Sequence, residues 1–485
     1  MSFQSLGFLV FLAAGVWVCR LLEGFRLRRS SASAGSAAEN ALPLTLFSLF
    51  FYWQGCGGLP DLLPIGADLL VTWSAVRYLQ SGREHRKPVF ALAAGWQIAV
   101  LLLYKYAAFF TGGRVAIASS PLGLSFFTFQ QLWLLKEVYG GGFTLERGLG
   151  SGYVLYSLFF PTVVSGPILK PQNFFPQLRQ KPSRMEAGDF AAGLYALSLG
   201  MAKKVLLADP LGTVVSNGWG LGNSLTAPAA WVVILGYTLQ LYLDFSGYCD
   251  IASGCARLLG FRLPINFDAP YRALSVGEFW KRWHITLTAF LRECVYIPLG
   301  GSRRGTVRTY INILTVYLIS GLWHGAGWTF LVWGGLHGLA QVAERLWDSR
   351  RERVPRALRW CWTFLFVNLA WVFFQAPSLP AAGMLLRSAV CGGPGLPLEA
   401  LAAGALDSEA TALRTLLPFA AKAVPGLVLA ALFTIGLAVS LRRQSAARQM
   451  ENFRPSPGKA AACGILLAWS VLSFSSAATF IYSNF

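Results

Sequence analysis

The chain has 485 residues, of which 55% are hydrophobic and only 13% are charged, and its mean hydropathy is +0.50. A soluble protein of this length needs a far more charged surface, so a soluble fold is excluded. The formal net charge of +19 would suit a nucleic-acid-binding protein, but the basic residues lie in clusters between apolar runs, which is the distribution of membrane topology signals.

Apolar runs of about 18 or more residues recur, and each can cross a hydrocarbon core of about 30 Å as a helix. The first, residues 5–22, has no basic residue ahead of it and no clear cleavage site, so we interpret it as an uncleaved span. The sequence predicts an all-α, polytopic integral membrane protein with about 10–12 transmembrane helices plus re-entrant and interfacial helices. Further apolar segments lie near 41–59, 62–80, 89–110, 121–138, 152–168, 190–208, 229–248, 309–327, 328–346, 358–375, 420–440 and 460–480.

Short loops rich in Lys and Arg stay in the cytoplasm, and here they also meet the anionic lipid of the bilayer. Such loops occur at 26–29, 83–87, 170–184, 345–356 and 442–454. With these loops inside, both chain termini are predicted to be periplasmic, and the protein is predicted to be a multi-pass protein of the inner (plasma) membrane.

Three segments depart from a simple span. Residues 190–208 contain Lys203 and Lys204, which are expensive in lipid, so we expect this segment to be re-entrant or interfacial. Residues 376–418 mix Pro, Gly and Ala with a few charges and predict an outer loop with a short helix. Residues 249–308 are less hydrophobic and more charged, and predict a platform of amphipathic helices on the cytoplasmic face.

Four stretches identify a family. "LDFSGYCDIASGCARLLGFRLPINFDAPYRALSVGEFWKRWHITLTAFLRECVYIPLGG" (243–301) and "SGLWHGAGWTFLVWGGLHG" (320–338) resemble the membrane-bound O-acyltransferase family, and most closely its bacterial alginate O-acetyltransferase membrane-subunit branch. "PLGLSFFTFQ" (121–130) and "FFPTVVSGPILKPQNFFPQL" (159–178) also resemble that branch. We therefore divide the chain into N-terminal transmembrane helices (1–120), an acyltransferase core (121–346) and C-terminal transmembrane helices (347–485) that end in a tail (480–485).

The histidine of the W-H-G motif is taken as catalytic in that family, and here it is His324. An ionisable residue within a membrane segment is itself a functional hypothesis, and Gly321, Gly325 and Gly327 would let another backbone or a substrate approach closely. The alternative is a histidine that bonds a neighbouring helix carbonyl and serves packing only. With an ordinary pKa of about 6.5, His324 could take and return a proton near neutral pH.

The remaining histidines are less specific. The resemblance favours a role for His284, in "FWKRWHITL", near the donor entrance, and an interfacial histidine beside Trp283 is the alternative. His337 is interpreted as supporting the site or as structural, as is Trp323 of the W-H-G motif. The resemblance implies a supporting or structural role for Asp244, which could orient His324 or bond a backbone.

The donor side is predicted from charge. Arginine binds phosphate well, and coenzyme A carries several phosphate charges. The candidates are therefore Arg303, Arg304, Lys281, Arg282 and Arg272, although each could equally be a topology signal. The resemblance places Asn266 in the tunnel lining. We expect no bound cofactor, with acetyl-CoA or another acyl thioester as donor substrate. The eight scattered cysteines form no C-x-x-C pair, so neither a metal site nor a disulfide framework is predicted.

The chain ends in "FIYSNF", and three terminal aromatics are typical of an interfacial anchor. Phe480, Tyr482 and Phe485 also fit the F-x-Y-x-x-F ending of part of this family and of a small partner peptide in teichoic-acid D-alanylation. The resemblance implies that Tyr482 could carry the acyl group as a covalent relay. A phenol, with a pKa of about 10, lies between a thiol at about 8.5 and a sugar hydroxyl in acidity.

The predicted function is O-acetylation of an exported polysaccharide, with alginate expected first and peptidoglycan or cellulose as alternatives. A periplasmic acetyltransferase partner is predicted to complete the transfer, and no nucleic-acid partner is expected. A polysaccharide transporter or flippase would need intramembrane acids and paired broken helices, of which the sequence has few signs. A non-catalytic export scaffold would not need His324.

Overall fold

The structure is a computed structural model that describes residues 2–29, 37–114, 120–146, 148–179, 186–347, 353–476, 478 and 480–481, with the side chains of 23–29, 37–40 and 476 excepted. Within these ranges all regular secondary structure is helical. The helices of the first half are α1 (Leu6–Arg29), α2 (Ala37–Gly55), α3 (Leu59–Leu79), α4 (Arg86–Phe110), α5 (Leu124–Tyr139), α6 (Gly150–Leu158), α7 (Pro171–Arg179), α8 (Ala187–Met201), α9 (Asp209–Gly220) and α10 (Ala227–Leu258).

The second half begins with two short helices at the predicted platform. Its helices are α11 (Val276–Arg282), α12 (Ile285–Leu291), α13 (Thr306–His324), α14 (Trp328–Leu346), α15 (Arg356–Gln375), α16 (Leu379–Cys391), α17 (Leu398–Ala402), α18 (Asp407–Leu416), α19 (Val424–Ser440), α20 (Ala446–Glu451) and α21 (Pro457–Leu472). A π-helical turn, Ala202–Ala208, joins α8 to α9, and a second one, Arg292–Tyr296, follows α12.

Among the described residues, six helical segments are long and apolar enough to cross a membrane. They are Leu59–Leu79, Arg86–Phe110, Ala187–Gly220, Ala227–Leu258, Arg356–Gln375 and Pro418–Ser440, and shorter apolar helices cover Leu6–Leu22, Leu379–Cys391 and Pro457–Leu472. The all-helical, polytopic architecture agrees with the sequence prediction, while the count of 10–12 crossings stays a prediction.

Helix α10 is the centre of the fold. Its central apolar window is 78% buried, the largest buried share among the six candidate spans. It packs against α8 and α9 on one side and against α15, α16 and α19 on others. Glycines make the closest of these contacts possible, because a Cβ on Gly200 or Gly247 would collide with the backbone of the opposite helix. The helix also runs on to Leu258, so the platform begins after this residue and not at 249.

The segment 190–208, expected to be re-entrant or interfacial, is part of a continuous helix that is long and apolar enough to cross a membrane. Helix α8 continues through the π-helical turn into α9 as one helical segment of 34 residues. The two lysines are tolerated because aspartates of α10 pair with them: Lys203 Nζ lies 2.6 Å from Asp250 and Lys204 Nζ lies 2.6 Å from Asp244. The cost of burying each charge is offset by its partner on the neighbouring helix.

Two further segments differ from prediction. The apolar run 152–168 is helical only as α6, because Pro161, Gly166 and Pro167 interrupt the helix, and its second half is a buried irregular segment. The predicted outer loop 376–418 contains three helices, α16 to α18, and not one. Ser378 caps α16 by accepting a hydrogen bond from Ala381 N at 3.3 Å.

The amphipathic stretch of the platform forms two helices. Four of its apolar residues, Phe279, Trp283, Leu287 and Phe290, are all buried. Helix α11 begins at a Ser275 cap and ends at Trp283, and His284 then takes φ +45°, a left-handed conformation that bulky residues rarely adopt. The chain therefore bends at His284, and α12 begins in a new direction.

Candidate active site

His324 is the last residue of α13 and is 1% exposed. Three aromatic rings surround its imidazole: Trp323 at 4.6 Å, Trp333 at 5.1 Å and Phe374 at 5.0 Å between ring centroids. These rings come from α13, α14 and α15. The histidine thus lies where three helices meet, in a place that excludes bulk water.

Of the three W-H-G glycines, Gly321 shows the expected close approach of another backbone. A Cβ on Gly321 would collide with the carbonyl of Phe330, and Gly334 of α14 lies against α13 in the same way. The Phe330 ring occupies the space beside Gly325, whereas Gly327 has only ordinary contacts. The absence of side chains at Gly321 and Gly334 lets α13 and α14 pack tightly and fixes the end of α13 that carries His324.

Helix α4 supplies two polar contacts to the same helix end. Lys105 Nζ donates a hydrogen bond to the Trp323 carbonyl, and the Tyr106 hydroxyl donates to the Leu322 carbonyl. The last carbonyls of a helix lack intrahelical partners, so these two side-chain donors satisfy the end of α13. Lys105 is a lysine within an apolar run, and that signal in the sequence could have identified it.

His284 is fully buried and held by Asn266. The Asn266 Oδ1 accepts hydrogen bonds from Thr286 N at 3.2 Å and from Thr286 Oγ1 at 2.9 Å, and it lies 3.2 Å from His284 Nδ1. A backbone N–H can only donate, so this atom is an acceptor and the Nδ1 of His284 must carry the proton. The Nε2 of the neutral ring is then the basic nitrogen.

A shared ring contact brings His284 and the W-H-G motif together. Phe126 of α5 lies 6.0 Å from the His284 ring and 5.5 Å from the Trp323 ring, and His284 itself lies 6.3 Å from Trp323. Both histidines therefore lie close to the Trp323 ring, 6.3 Å from it for His284 and 4.6 Å for His324, in one aromatic chamber. His284 is buried in this chamber and is not an interfacial residue.

His337 is one ring further away. Trp333 lies 5.1 Å from both His324 and His337, and Trp280 Nε1 donates a hydrogen bond to His337 Nδ1 at 3.1 Å. The indole can only donate, so the Nε2 of the neutral His337 ring carries the proton. His337 therefore ties platform helix α11 to α14, behind the ring that contacts His324.

A cavity of about 130 Å³ lies between the platform, α13 and α14. The exposed cations Arg292 and Arg345 are among its lining residues, and so are Trp280 and the buried Ser320. Ser320 is one helical turn before His324, so the cavity extends from cations towards the histidine chamber. Sequence reasoning missed both arginines as site residues, because an arginine beside a span is also what a topology signal looks like.

Asp244 lies in a different buried network. Its Oδ1 accepts from Lys204 Nζ at 2.6 Å and its Oδ2 accepts from the backbone N of Ile481 at 3.0 Å. Phe480 packs under Lys204, 4.6 Å from Nζ. The aspartate thus bonds a backbone, one of its two predicted roles, and it holds the C-terminal tail against α10. Tyr482 and Phe485 lie outside the described residues.

The predicted donor-binding residues lie on the platform, and their surroundings differ. Arg303, Arg304 and Lys281 are exposed. Arg282 pairs with Glu278 at 2.8 Å, and Arg272 Nη1 donates to the Leu441 carbonyl at 3.1 Å. Among the described residues there is no group of three or more His, Cys, Asp and Glu side chains that could hold a metal ion.

Comparison with known proteins identifies the family. The model of the membrane-bound O-acyltransferase family matches residues 152–379. A peptidoglycan O-acetyltransferase of Helicobacter pylori is 36% identical over 72% of this chain and 73% of its own. The chain belongs to the membrane-bound O-acyltransferase family. It is therefore an acyltransferase and a multi-pass membrane protein, as the sequence motifs predicted.

Relatives within this family carry different names. A probable alginate O-acetylase AlgI of Pseudomonas putida is 34% identical over 73% of this chain and 75% of its own. A teichoic acid D-alanyltransferase of Streptococcus thermophilus is 27% identical over 60% of this chain and 71% of its own. The matched family region, 152–379, contains His284, His324 and His337 together with Trp333 and Phe374 around them.

Proposed function

We propose that this acyltransferase moves an acyl group, acetyl in the first place, from a cytoplasmic thioester to a hydroxyl of an exported polysaccharide at the inner membrane. The observation that carries the proposal is the position of His324. It is buried among rings at the end of α13, and the cation-lined cavity reaches the helical turn before it. A proton acceptor in a dry chamber beside a charged entrance suits acyl transfer.

In the reaction, His324 takes the proton of the acceptor hydroxyl as the oxygen attacks the thioester carbonyl. The carbon–sulfur bond then breaks, and the thiolate recovers a proton from the imidazolium. His284, whose basic Nε2 is fixed by Asn266, stabilises or shares that proton. No metal is needed, because a thioester requires only a nucleophile and a positioned base.

The donor enters from the platform, for which the positive-inside rule predicts a cytoplasmic position. A cavity of about 130 Å³ is smaller than the roughly 300 Å³ of a small ligand pocket, so it fits the acyl end of acetyl-CoA or another thioester and not a whole coenzyme. Arg292 and Arg345 then meet phosphate groups at the mouth.

The acyl group passes to the outer side through Tyr482 and a periplasmic acetyltransferase partner. Tyr482 follows Ile481 directly, and the bond between Ile481 N and Asp244 draws the preceding part of the tail into the helices. We expect Tyr482→Phe to insert normally and to abolish acetylation, because it keeps the ring and removes the hydroxyl. Wild-type acetylation in that variant would leave Tyr482 as an aromatic anchor.

Substitution of His324 tests the enzyme itself. His324→Ala should lower polymer acetylation by about 10²- to 10⁴-fold, the usual contribution of a general base. The matched control is His85→Ala, which removes an exposed histidine. Ester-linked acetate is released by alkali and measured, and membrane levels are compared by immunoblot. Full acetylation in a normally inserted His324→Ala protein would support a non-catalytic scaffold.

Two arginine pairs distinguish the donor entrances. Arg292→Glu with Arg345→Glu should raise the KM for the acyl thioester, and Arg303→Glu with Arg304→Glu should raise it too if the surface turn takes part. Each double variant makes the same charge change, so a general electrostatic effect would raise both equally. An unchanged KM in both would leave all four as topology signals.

The polymer is proposed to be alginate or peptidoglycan, since relatives carrying either name are about equally similar to the chain. Acetyl esters measured on both polymers, in cells with and without the chain, decide between them.

A further inference from the structure

A second cavity, of about 430 Å³, lies outside the histidine chamber. It is enclosed by the π-helical turn after α8, by α10, and by α19 and α21 of the C-terminal region. Its walls are almost entirely apolar and include Leu206, Leu432, Ile435 and Leu466. This volume is within the range of about 300–1,000 Å³ that is typical of ligand pockets.

One end of this cavity is cationic. Arg442 and Gln449 belong both to its lining and to that of a wider, open cavity of about 520 Å³, which Arg443 and Lys459 also line. Within the described residues, no carboxylate forms a salt bridge with Arg442 or Arg443, and both are exposed. Lys459 is held in place, because its Nζ donates to the Arg454 carbonyl at 2.7 Å.

The other charged groups at this cavity determine at which end an anionic group would bind. At the opposite end, Glu409 Oε1 accepts a hydrogen bond from Trp469 Nε1 at 2.7 Å. On the wall, Lys203 is neutralised by Asp250 at 2.6 Å. An anionic group is therefore favoured only at the end of Arg442 and Arg443, and an apolar chain would extend from there towards Trp469.

The length of the cavity also matches one leaflet of a lipid bilayer. The lining residues of α19 run from Ala431 to Val439, which is about 12 Å of helix at 1.5 Å per residue. Half of a hydrocarbon core is about 15 Å. The cationic end belongs to the Lys- and Arg-rich loop 442–454, so the cavity lies in the cytoplasmic leaflet.

We propose that this cavity binds one anionic phospholipid of the cytoplasmic leaflet. Its phosphate lies between Arg442, Arg443 and Lys459, and one acyl chain fills the apolar cavity as far as Trp469. The site is independent of acyl transfer, since it shares no residue with the histidine chamber. The bound lipid would cover the Lys203–Asp250 pair and join α8, α19 and α21.

Native mass spectrometry of the full chain in detergent tests the headgroup. Phosphatidylglycerol should bind about tenfold more tightly than phosphatidylcholine, since two surface arginines each contribute attraction to an anionic lipid. Arg442→Gln with Arg443→Gln should remove most of this preference. The matched control, Arg353→Gln with Arg356→Gln, removes two exposed cations from another basic loop and should retain it.

A second pair of variants tests the chain-binding cavity. Ala431→Trp places a large ring in the cavity and should weaken binding of both lipids at least fivefold. Ala438→Trp puts the same ring on an exposed position of α19 that does not line the cavity, and it should bind as the wild type does. The proposal is overturned if the Arg442 and Arg443 variant keeps the wild-type preference, or if Ala431→Trp and Ala438→Trp bind lipid equally.

Discussion

Helix α10 brings two very different polar regions into the interior. In the first region, Asp244 and Asp250 pair with Lys204 and Lys203 of the adjacent helical segment at 2.6 Å each. In the second region, Phe245 lies 4.8 Å from the ring of His284, which the rings of Phe126 and Trp323 also approach. Charges that would be costly in a low-dielectric interior are matched in the first region. The second region holds imidazoles, which are neutral when unprotonated.

The comparison distinguishes polar groups that hold helices together from polar groups that can take part in a reaction. An ion pair with both partners buried fixes helices but has no reason to exchange a proton. A neutral imidazole in an aromatic chamber can accept a proton and return it, provided that its position is fixed. The lysine region therefore joins α8, α9, α10 and the tail, while the histidine region is suited to catalysis.

The largest effect is expected from the removal of Lys204, which would disrupt the lysine region. Lys204→Met leaves the buried carboxylates of Asp244 and Asp209 without their shared cation, and should lower the free energy of unfolding by about 3–5 kcal/mol. Thermal unfolding of detergent-purified protein measures this loss. Lys422→Met, at an exposed lysine, is the control.

A suppressor variant sharpens the same test. Adding Asp244→Asn to Lys204→Met removes one of the uncompensated charges and should restore part of the stability. If the double variant is no more stable than the single one, loss of packing and not unpaired charge explains the effect.

The next prediction tests whether Lys105 positions the end of α13 for catalysis or only stabilises the fold. Lys105→Met removes the donor to the Trp323 carbonyl and should let the end of α13 shift. We expect kcat to fall by about 10- to 100-fold, since small displacements near reacting groups have effects of this size, with the donor KM unchanged. Lys105→Arg should recover much of the rate. A fall in stability without a change in kcat would make Lys105 merely structural.

A smaller effect is expected at the support of His284. Asn266→Ala removes the oxygen that binds His284 Nδ1 and both donors of Thr286. Loss of these buried hydrogen bonds should lower the free energy of unfolding by about 1–3 kcal/mol, and activity should fall together with it. Asn266→Asp keeps an acceptor oxygen but buries a carboxylate and loses the donor to Cys249, so it should destabilise the fold as well. Equal stability of Asn266→Ala and wild type would contradict this role.

The smallest effect concerns acid sensitivity at the platform. Burial by itself would raise the pKa of the Glu293 carboxyl. The hydrogen bond and charge of Lys170, the hydrogen bond of Trp133 and the charge of Lys136 together outweigh burial, so the pKa of Glu293 is below its ordinary value. A depressed folded-state pKa means that stability is present above the unfolded value, about 4.3, and is lost as the pH falls through the folded value. Unfolding temperatures of Glu293→Gln and wild type should therefore differ at neutral pH and converge below about pH 4. A difference that stays constant with pH would exclude this linkage.

Part of the candidate site could be predicted from the sequence because short motifs carry it. His324 and its glycines are contiguous, and the W-H-G pattern identified both the histidine and the close packing at Gly321. The pairing of Lys203 and Lys204 could not be predicted, because their partners lie about forty residues further along the chain. Two lysines in an apolar run predict an interfacial segment unless the opposite helix is known.

The sequence by itself determined the class of the protein and the position of its central histidine. Composition and the length of apolar segments decide whether a chain enters a membrane. A local motif such as W-H-G can be recognised from a few consecutive residues. The tertiary structure alone decided which polar groups meet. Lys105 with the end of α13, Asn266 with His284, and the Ile481 backbone with Asp244 are contacts between distant segments. Their energies depend on distance and burial, which no local pattern encodes.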